Sequence, residues 1–125
     1  MNKTILAALA RGGIIDLTTT GRKSRQPRRI EIVLHVIDGR MVISGMPRRE
    51  KRAWLANVDA DPRVTIHLKR DVVADLPATA RVITDDAERR ALLADVARAW
   101  GRDDLEMMVR DSPLIEVVLD DPAST

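Results

Sequence analysis

Residues 28–44, RRIEIVLHVIDGRMVIS, constrain the fold more than any other stretch of the chain. Ile30, Ile32, Leu34 and Val36 alternate with Glu31, Val33, His35 and Ile37. A side-chain period of two therefore gathers the first set on one face of a strand. Asp38-Gly39 suits the tight turn of a hairpin, and RMVIS returns as the second strand. A lone hairpin is marginal in water, so this one demands further strands or helices to bury its apolar side.

The rest of the chain supplies them. IIDLTTT (14–20) is β-branched and reads as a strand. RVTIHLK (63–69) alternates again, with Val64, Ile66 and Leu68 inward. DVVADLPATARVI (71–83) reads as two short strands or as one bent at Pro77. LIEVVLD (114–120) is a final strand. Helical spacing appears in 48–61, where Trp54, Leu55 and Val58 share a face and Pro62 ends the run. An Asp85-x-x-Glu88 capping box opens a helix that runs to about Trp100 and closes at Gly101. A weaker helix over 103–110 stops before Ser112-Pro113, and a short one over 4–11 stops at Gly12-Gly13. The sum is an α+β chain: a curled antiparallel sheet or barrel of about six or seven strands with flanking helices. We expect residues 1–13 to form an N-terminal helical segment whose order the sequence leaves open, and residues 14–125 to form one barrel domain.

With 125 residues and an apolar share of 45%, there is material for one core. Two tryptophans are the only aromatics besides histidine, so aliphatic side chains and methionine must do most of the packing. Met107-Met108 reads as core filling. The absence of cysteine excludes disulfides and thiolate metal sites. The apolar run Ile5–Ala10 is too short for a signal peptide core or a bilayer span, so we expect a cytoplasmic protein and leave peripheral membrane contact open for that segment.

The net charge is only +2, but residues 21–52 hold ten cations against Glu31, Asp38 and Glu50. Such a field points to an anionic partner. Gly21 lets the backbone turn tightly, and Arg22, Lys23, Ser24 and Arg28 offer cations and a hydroxyl to phosphate oxygens. GRKS is not a Walker A loop, because position 16 is Asp rather than the required Gly. A second cluster, Ser44 to Trp54, places Arg48 and Arg49 at the expected start of a helix, where an anion would relieve the clash with the helix dipole.

Other candidates read as structural. His35 and His67 lie on strands without the further ligands a metal needs. No nucleophile–base spacing is recognisable. Asp59, Asp61, Asp85, Asp86, Asp103 and Asp104 sit at helix ends, where capping explains them. Nucleic acid is not the expected partner, since single-strand binders stack bases on aromatics that this chain lacks.

LTTTGRKSRQPRRIEI, then the hairpin, then ISGMP, Trp54, Asn57 and DPRVTIHLK together resemble the deazaflavin-dependent nitroreductase family, related to flavin-binding pyridoxamine-phosphate-oxidase proteins. The resemblance implies a split barrel and an oxidoreductase that takes hydride from reduced coenzyme F420, with FMN as the alternative cofactor. It further implies that Arg22, Lys23, Ser24 and Arg28 hold the coenzyme's phosphate and acidic tail. Ser44, Gly45, Met46 and Pro47 would line the deazaflavin ring, with Arg48 beside them and Trp54 behind. Ser44 is the expected group for polarising the ring or acceptor. The chain differs from the family pattern at Arg25, often glycine there, and at Pro47, often lysine.

The expected substrate is a small apolar acceptor: a quinone, an enone or a nitro compound. The rival expectation is a non-catalytic barrel that carries a lipid, fatty acid or flavin. A homodimer is expected only by analogy with flavin-binding barrels.

Overall fold

In the computed structural model, which describes residues 2–120, the elements follow the order α1 (Lys3–Arg11), β1 (Gly13–Thr20), β2 (Pro27–Ile37), β3 (Arg40–Ser44), α2 (Ala53–Ala60), β4 (Arg63–Lys69), β5 (Val73–Val82), α3 (Asp86–Trp100), α4 (Leu105–Asp111) and β6 (Leu114–Leu119). Residues 121–125, placed in the barrel domain from the sequence, lie outside the described residues. The strands close an antiparallel barrel in the order β1-β2-β3-β6-β5-β4. This is the α+β barrel with flanking helices expected from the patterning.

Two long strands make the closure. β2 pairs with β1 from Pro27 to Leu34 and with β3 from Leu34 to Ile37. β5 pairs with β4 from Val73 to Thr79 and with β6 from Ala78 to Val82. Each changes partner part-way along, so the sheet meets itself and leaves few free edges. Pro77 sits just before β5 gains its second neighbour, where a missing N–H does not interrupt two ladders at once. The stretch is therefore one strand rather than two. At the hairpin tip Asp38 and Gly39 both take positive φ, 52° and 77°, as the tight turn requires.

Alternation sends Ile15, Leu17, Leu34, Ile43, Ile66 and Ile115 into the barrel, where all are buried. A second core lies outside the wall. There Leu92, Leu93 and Val96 of α3 and Met108 of α4 cover Val42, Ile83 and Leu114. Full burial of each such side chain stabilises by about 1.5–3 kcal/mol. Ile5, Ala8 and Leu9 of α1 pack against the inner core. Met108 is buried and Met107 exposed, so only one of the pair fills the core. Val36 is also exposed: β2 runs past the inner core beyond Leu34.

Asp85 caps α3, accepting from the Glu88 N–H at 2.9 Å. The Glu88 carboxylate does not complete the capping box; it pairs with Arg40 and Arg81, which also share Glu116. This four-membered network ties α3 to β3, β5 and β6. Among the described residues no helix is long and apolar enough to cross a membrane.

The second helix departs from expectation. It begins at Ala53, and residues 48–52 form an irregular strap ahead of it. Arg48, Arg49, Lys51 and Arg52 would crowd like charges into a first turn that already carries partial positive charge. Keeping them out of the helix avoids that repulsion.

Candidate functional site

The β1–β2 connection and the strap after β3 lie beside the first turn of α2. The connection, residues 21–26, is internally bonded. The Gly21 N–H donates to the Gln26 carbonyl at 2.8 Å, the Arg25 N–H donates to the Gly21 carbonyl at 2.9 Å, and the Gln26 N–H donates to Ser24 Oγ at 3.1 Å. A Cβ at position 21 would come within 2.4 Å of Ser24 Oγ, so glycine is required for the close approach. Arg25 holds φ of 60°, a strained value for a side-chain-bearing residue, which accounts for the glycine often found there in the resembling family. Its guanidinium lies 3.6 Å from Asp61.

Asn57 locks this connection to α2. It is buried, accepts from the Arg22 N–H at 3.0 Å, and donates through Nδ2 to Thr19 Oγ1 at 3.1 Å. Its only local signal is weak: an asparagine inside a short helix is unfavourable unless its amide is used. Asp61, also buried, receives Arg63, which holds its carboxyl down at about 2, and it orients Arg25.

Two grooves meet here. The first, about 370 Å³, is lined by Arg22, Lys23, Ser24 and Arg28 together with Trp54 and Asn57. The second, about 570 Å³, is lined by Ile32, Ser44, Gly45, Arg48, Arg52 and Trp54 among others. Ile30, Ala53 and Trp54 border both, so the two run into each other. The cations and the Ser44–Gly45 turn, far apart in sequence, thus come to one trough.

Four of the predicted site residues surround the first groove and three the second, with Trp54 common to both. Met46 and Pro47 line neither. Met46 is half exposed and its carbonyl accepts from Arg52 Nη2 at 2.7 Å. Ser44 is buried, and its hydroxyl donates to the Pro113 carbonyl at 2.7 Å. That proton is therefore directed away from the groove, and Ser44 keeps only acceptor capacity toward it. Gly45 fits under the strap: a Cβ there would stand 3.1 Å from both Arg52 Cζ and Pro113 Cγ.

The trough is electrostatically unbalanced. Among the described residues Arg22, Lys23 and Arg28 have no carboxylate partner, although their neighbours Arg29 and Arg25 do. Burial, and secondarily the charge of Arg48, press the Arg52 guanidinium toward a lower pKa. α2 opens with no side-chain cap and no acid in its first turn. Each feature would be relieved by an anion.

The histidines are used elsewhere. His67 is held between Thr18 Oγ1 at 2.6 Å and Asp75 Oδ1 at 2.7 Å on the outer barrel wall. His35 lies beside Trp100, with ring centroids 5.3 Å apart, and burial lowers its pKa. No group of three metal-binding side chains occurs among the described residues.

A family model described as F420H(2)-dependent quinone reductase matches residues 2–122. The chain belongs to that family. Its coenzyme is therefore F420, and it is an oxidoreductase, which sets aside the non-catalytic carrier. Solved structures agree on the fold. A putative pyridoxamine 5'-phosphate oxidase from Listeria innocua superposes with a TM-score of 0.69 at 14% identity, covering 94% of this chain and 92% of that one. An F420-H2-dependent reductase, FDR-A, gives 0.59 at 23% identity over 84% and 93%. A chain solved as a domain-swapped dimer gives 0.64 at 22% over 93% and 95%.

The F420H(2)-dependent quinone reductase family implies a ligand with a flat ring at one end and several negative charges at the other. The trough suits both ends. Its basic half has cations without partners, and its wider half has Ile30, Ile32, Ala53 and Trp54 for an apolar ring.

Proposed function

We propose that the chain reduces a small apolar acceptor of the quinone class, and by the same chemistry enones or nitro compounds, in the wider groove of this trough. The observation that supports the reading most is the run of three cations, Arg22, Lys23 and Arg28, without a carboxylate partner among the described residues, along one groove that opens into an apolar-walled one. In this reading those cations and Ser24 hold the phosphate and acidic tail of F420. Ser44, Gly45, Arg48 and Trp54 flank the ring. When bound in its reduced form, F420 supplies a hydride, and a quinone then needs one further proton to become the hydroquinone.

The protein's own part is grip, orientation and exclusion of water. Each charge-assisted bond to the tail contributes about 1.5–3 kcal/mol. Asn57 fixes the cation-bearing turn at a set distance from α2, so the ring's reach into the wider groove is fixed as well. Trp54, with only 8% of its surface exposed, forms a rigid floor. Ser44 holds the Pro113 carbonyl rather than donating to the ring. Pairing of two copies remains an expectation supported by the domain-swapped relative; light scattering on the purified chain tests it.

Titration of F420, followed by its own fluorescence, tests the tail site. Lys23→Ala and Arg28→Ala should each weaken binding about tenfold, for loss of one charge-assisted bond. Unchanged affinity in both variants would place the tail elsewhere.

A further inference from the structure

A third groove, about 380 Å³, lies on the other side of the strap and is not used by the reading above. It touches the ring-sized groove through Arg48, Lys51 and Arg52, and shares no residue with the tail groove. The order is therefore tail groove, ring groove, third groove. Its floor is apolar, formed by Leu55, Val82 and Pro113.

The rim of this groove is strongly basic and only partly neutralised. Lys51 pairs with Asp59, Arg110 with Asp111, and Arg48 approaches Glu50 at 3.7 Å. Arg49, Arg52 and Arg89 have no carboxylate partner among the described residues. Arg89 is fixed in position: its guanidinium donates to the carbonyls of Val109, Ile83, Met108 and Ser112 at 2.7–3.3 Å. Burial lowers the pKa of both Arg89 and Arg52. One polar atom is also idle. Ser112, 4% exposed, lines the groove and its Oγ has no hydrogen-bond partner. A buried hydroxyl without a partner is destabilising, and a ligand oxygen accepting from it would relieve that.

We propose that this groove is the anion-recognising half of the acceptor site, and that the acceptor is an apolar ring or chain bearing one oxyanion, such as a carboxylate, sulfonate or phosphate. The inference rests on the tail-to-ring direction given above. The apolar part lies on Leu55 and Val82, within reach of the ring groove. The oxyanion meets Arg49 and the Ser112 hydroxyl. Reduction itself is unaltered: hydride passes to the acceptor carbon or oxygen, a proton from water completes the product, and the oxyanion stays intact.

The test compares two quinones at fixed ionic strength, neutral 2-methyl-1,4-naphthoquinone and anionic 1,4-naphthoquinone-2-sulfonate. The reading is the ratio of their kcat/KM values in each variant, which removes the difference in their redox potentials. Arg49→Ala and Ser112→Ala should each lower the sulfonate-to-neutral ratio about fivefold or more, while Arg11→Ala, a cation removed from a different groove, should not. Calorimetry without coenzyme should show the sulfonate binding to wild type more tightly than to Arg49→Ala. Arg49 is exposed and unpaired, and Ser112→Ala removes an idle hydroxyl, so both variants should fold. An unchanged ratio in both, with the sulfonate binding all variants equally, overturns the proposal. So does a result in which Arg49→Ala weakens F420 instead, which would assign the groove to the coenzyme. Failure to reduce either quinone with reduced F420 would instead overturn the acceptor class given under the proposed function, and the calorimetry would still decide the oxyanion groove.

Discussion

Asn57→Ala should disable the site through its frame while leaving every cation in place. The asparagine is 6% exposed and makes two hydrogen bonds, to the Arg22 N–H at 3.0 Å and to Thr19 Oγ1 at 3.1 Å. Truncation loses both and strands a hydroxyl that is 1% exposed. An unsatisfied buried group costs about 1–3 kcal/mol, and the second lost bond about 0.5–1.5 kcal/mol. The expected destabilisation is therefore about 2–4 kcal/mol. With a urea m-value of about 2 kcal/mol/M, the midpoint falls by about 1–2 M. Freed from α2, the Arg22 turn samples more conformations, so F420 binding weakens although no charged contact has been removed. Asn57→Asp keeps the acceptor for Arg22 and can accept from Thr19, so it should retain most of the stability. Its new negative charge beside the tail groove should still weaken F420. Urea unfolding followed by tryptophan fluorescence, paired with coenzyme titration, separates the two effects. If Asn57→Ala lies within about 0.5 kcal/mol of wild type and binds F420 equally well, the turn is not held by this residue and the framing argument is wrong.

Acid should loosen the seam between α3 and the barrel. Glu88 is held down at about 2 by Arg81 and Arg40, below its unfolded value, so its contribution is present above the ordinary carboxylate range and is lost as pH falls through that range toward 2. Glu88→Gln should flatten the decline of unfolding free energy between about pH 5 and 2, measured by urea titration at each pH. At position 25 the usual order of Ala and Gly should invert. With φ at 60°, Arg25→Gly should be more stable than Arg25→Ala by about 1 kcal/mol, read from denaturation midpoints. Gly21→Ala should disturb the same turn, because its Cβ meets Ser24 Oγ. Adding Ser24→Ala should restore part of the lost stability by removing that oxygen, read from denaturation midpoints, while F420 affinity stays low because the Ser24 hydroxyl is gone.

The fold was largely legible because its cues are local. Alternation marked β2 and β4, β-branched residues marked β1, the Asp38-Gly39 turn closed the hairpin, and Asp85 marked the start of α3. Helical spacing misplaced the start of α2, since Trp54, Leu55 and Val58 reveal a face but the repulsion among Arg48, Arg49, Lys51 and Arg52 decides where the helix can begin. Ser44 was expected to polarise the ring or acceptor; its hydroxyl is engaged by the Pro113 carbonyl, 69 residues away, which no local pattern indicates. Asn57 went unassigned for the same reason. Its two partners lie on β1 and on the turn after it, and nothing near it in the chain indicates them.

The chain alone determined its secondary structure, its barrel class, the charge that calls for an anion, and the motif order that marks the family. Those properties follow from neighbours a few residues apart, where side-chain period, turn geometry and like-charge repulsion act. Only the closed barrel decided which cations are free. Asp16 takes Arg29, Asp61 takes Arg25, and Arg22, Lys23 and Arg28, left without a carboxylate partner among the described residues, line one groove. Pairing depends on distances across strands that become fixed only when β2 and β5 change partners and the sheet closes.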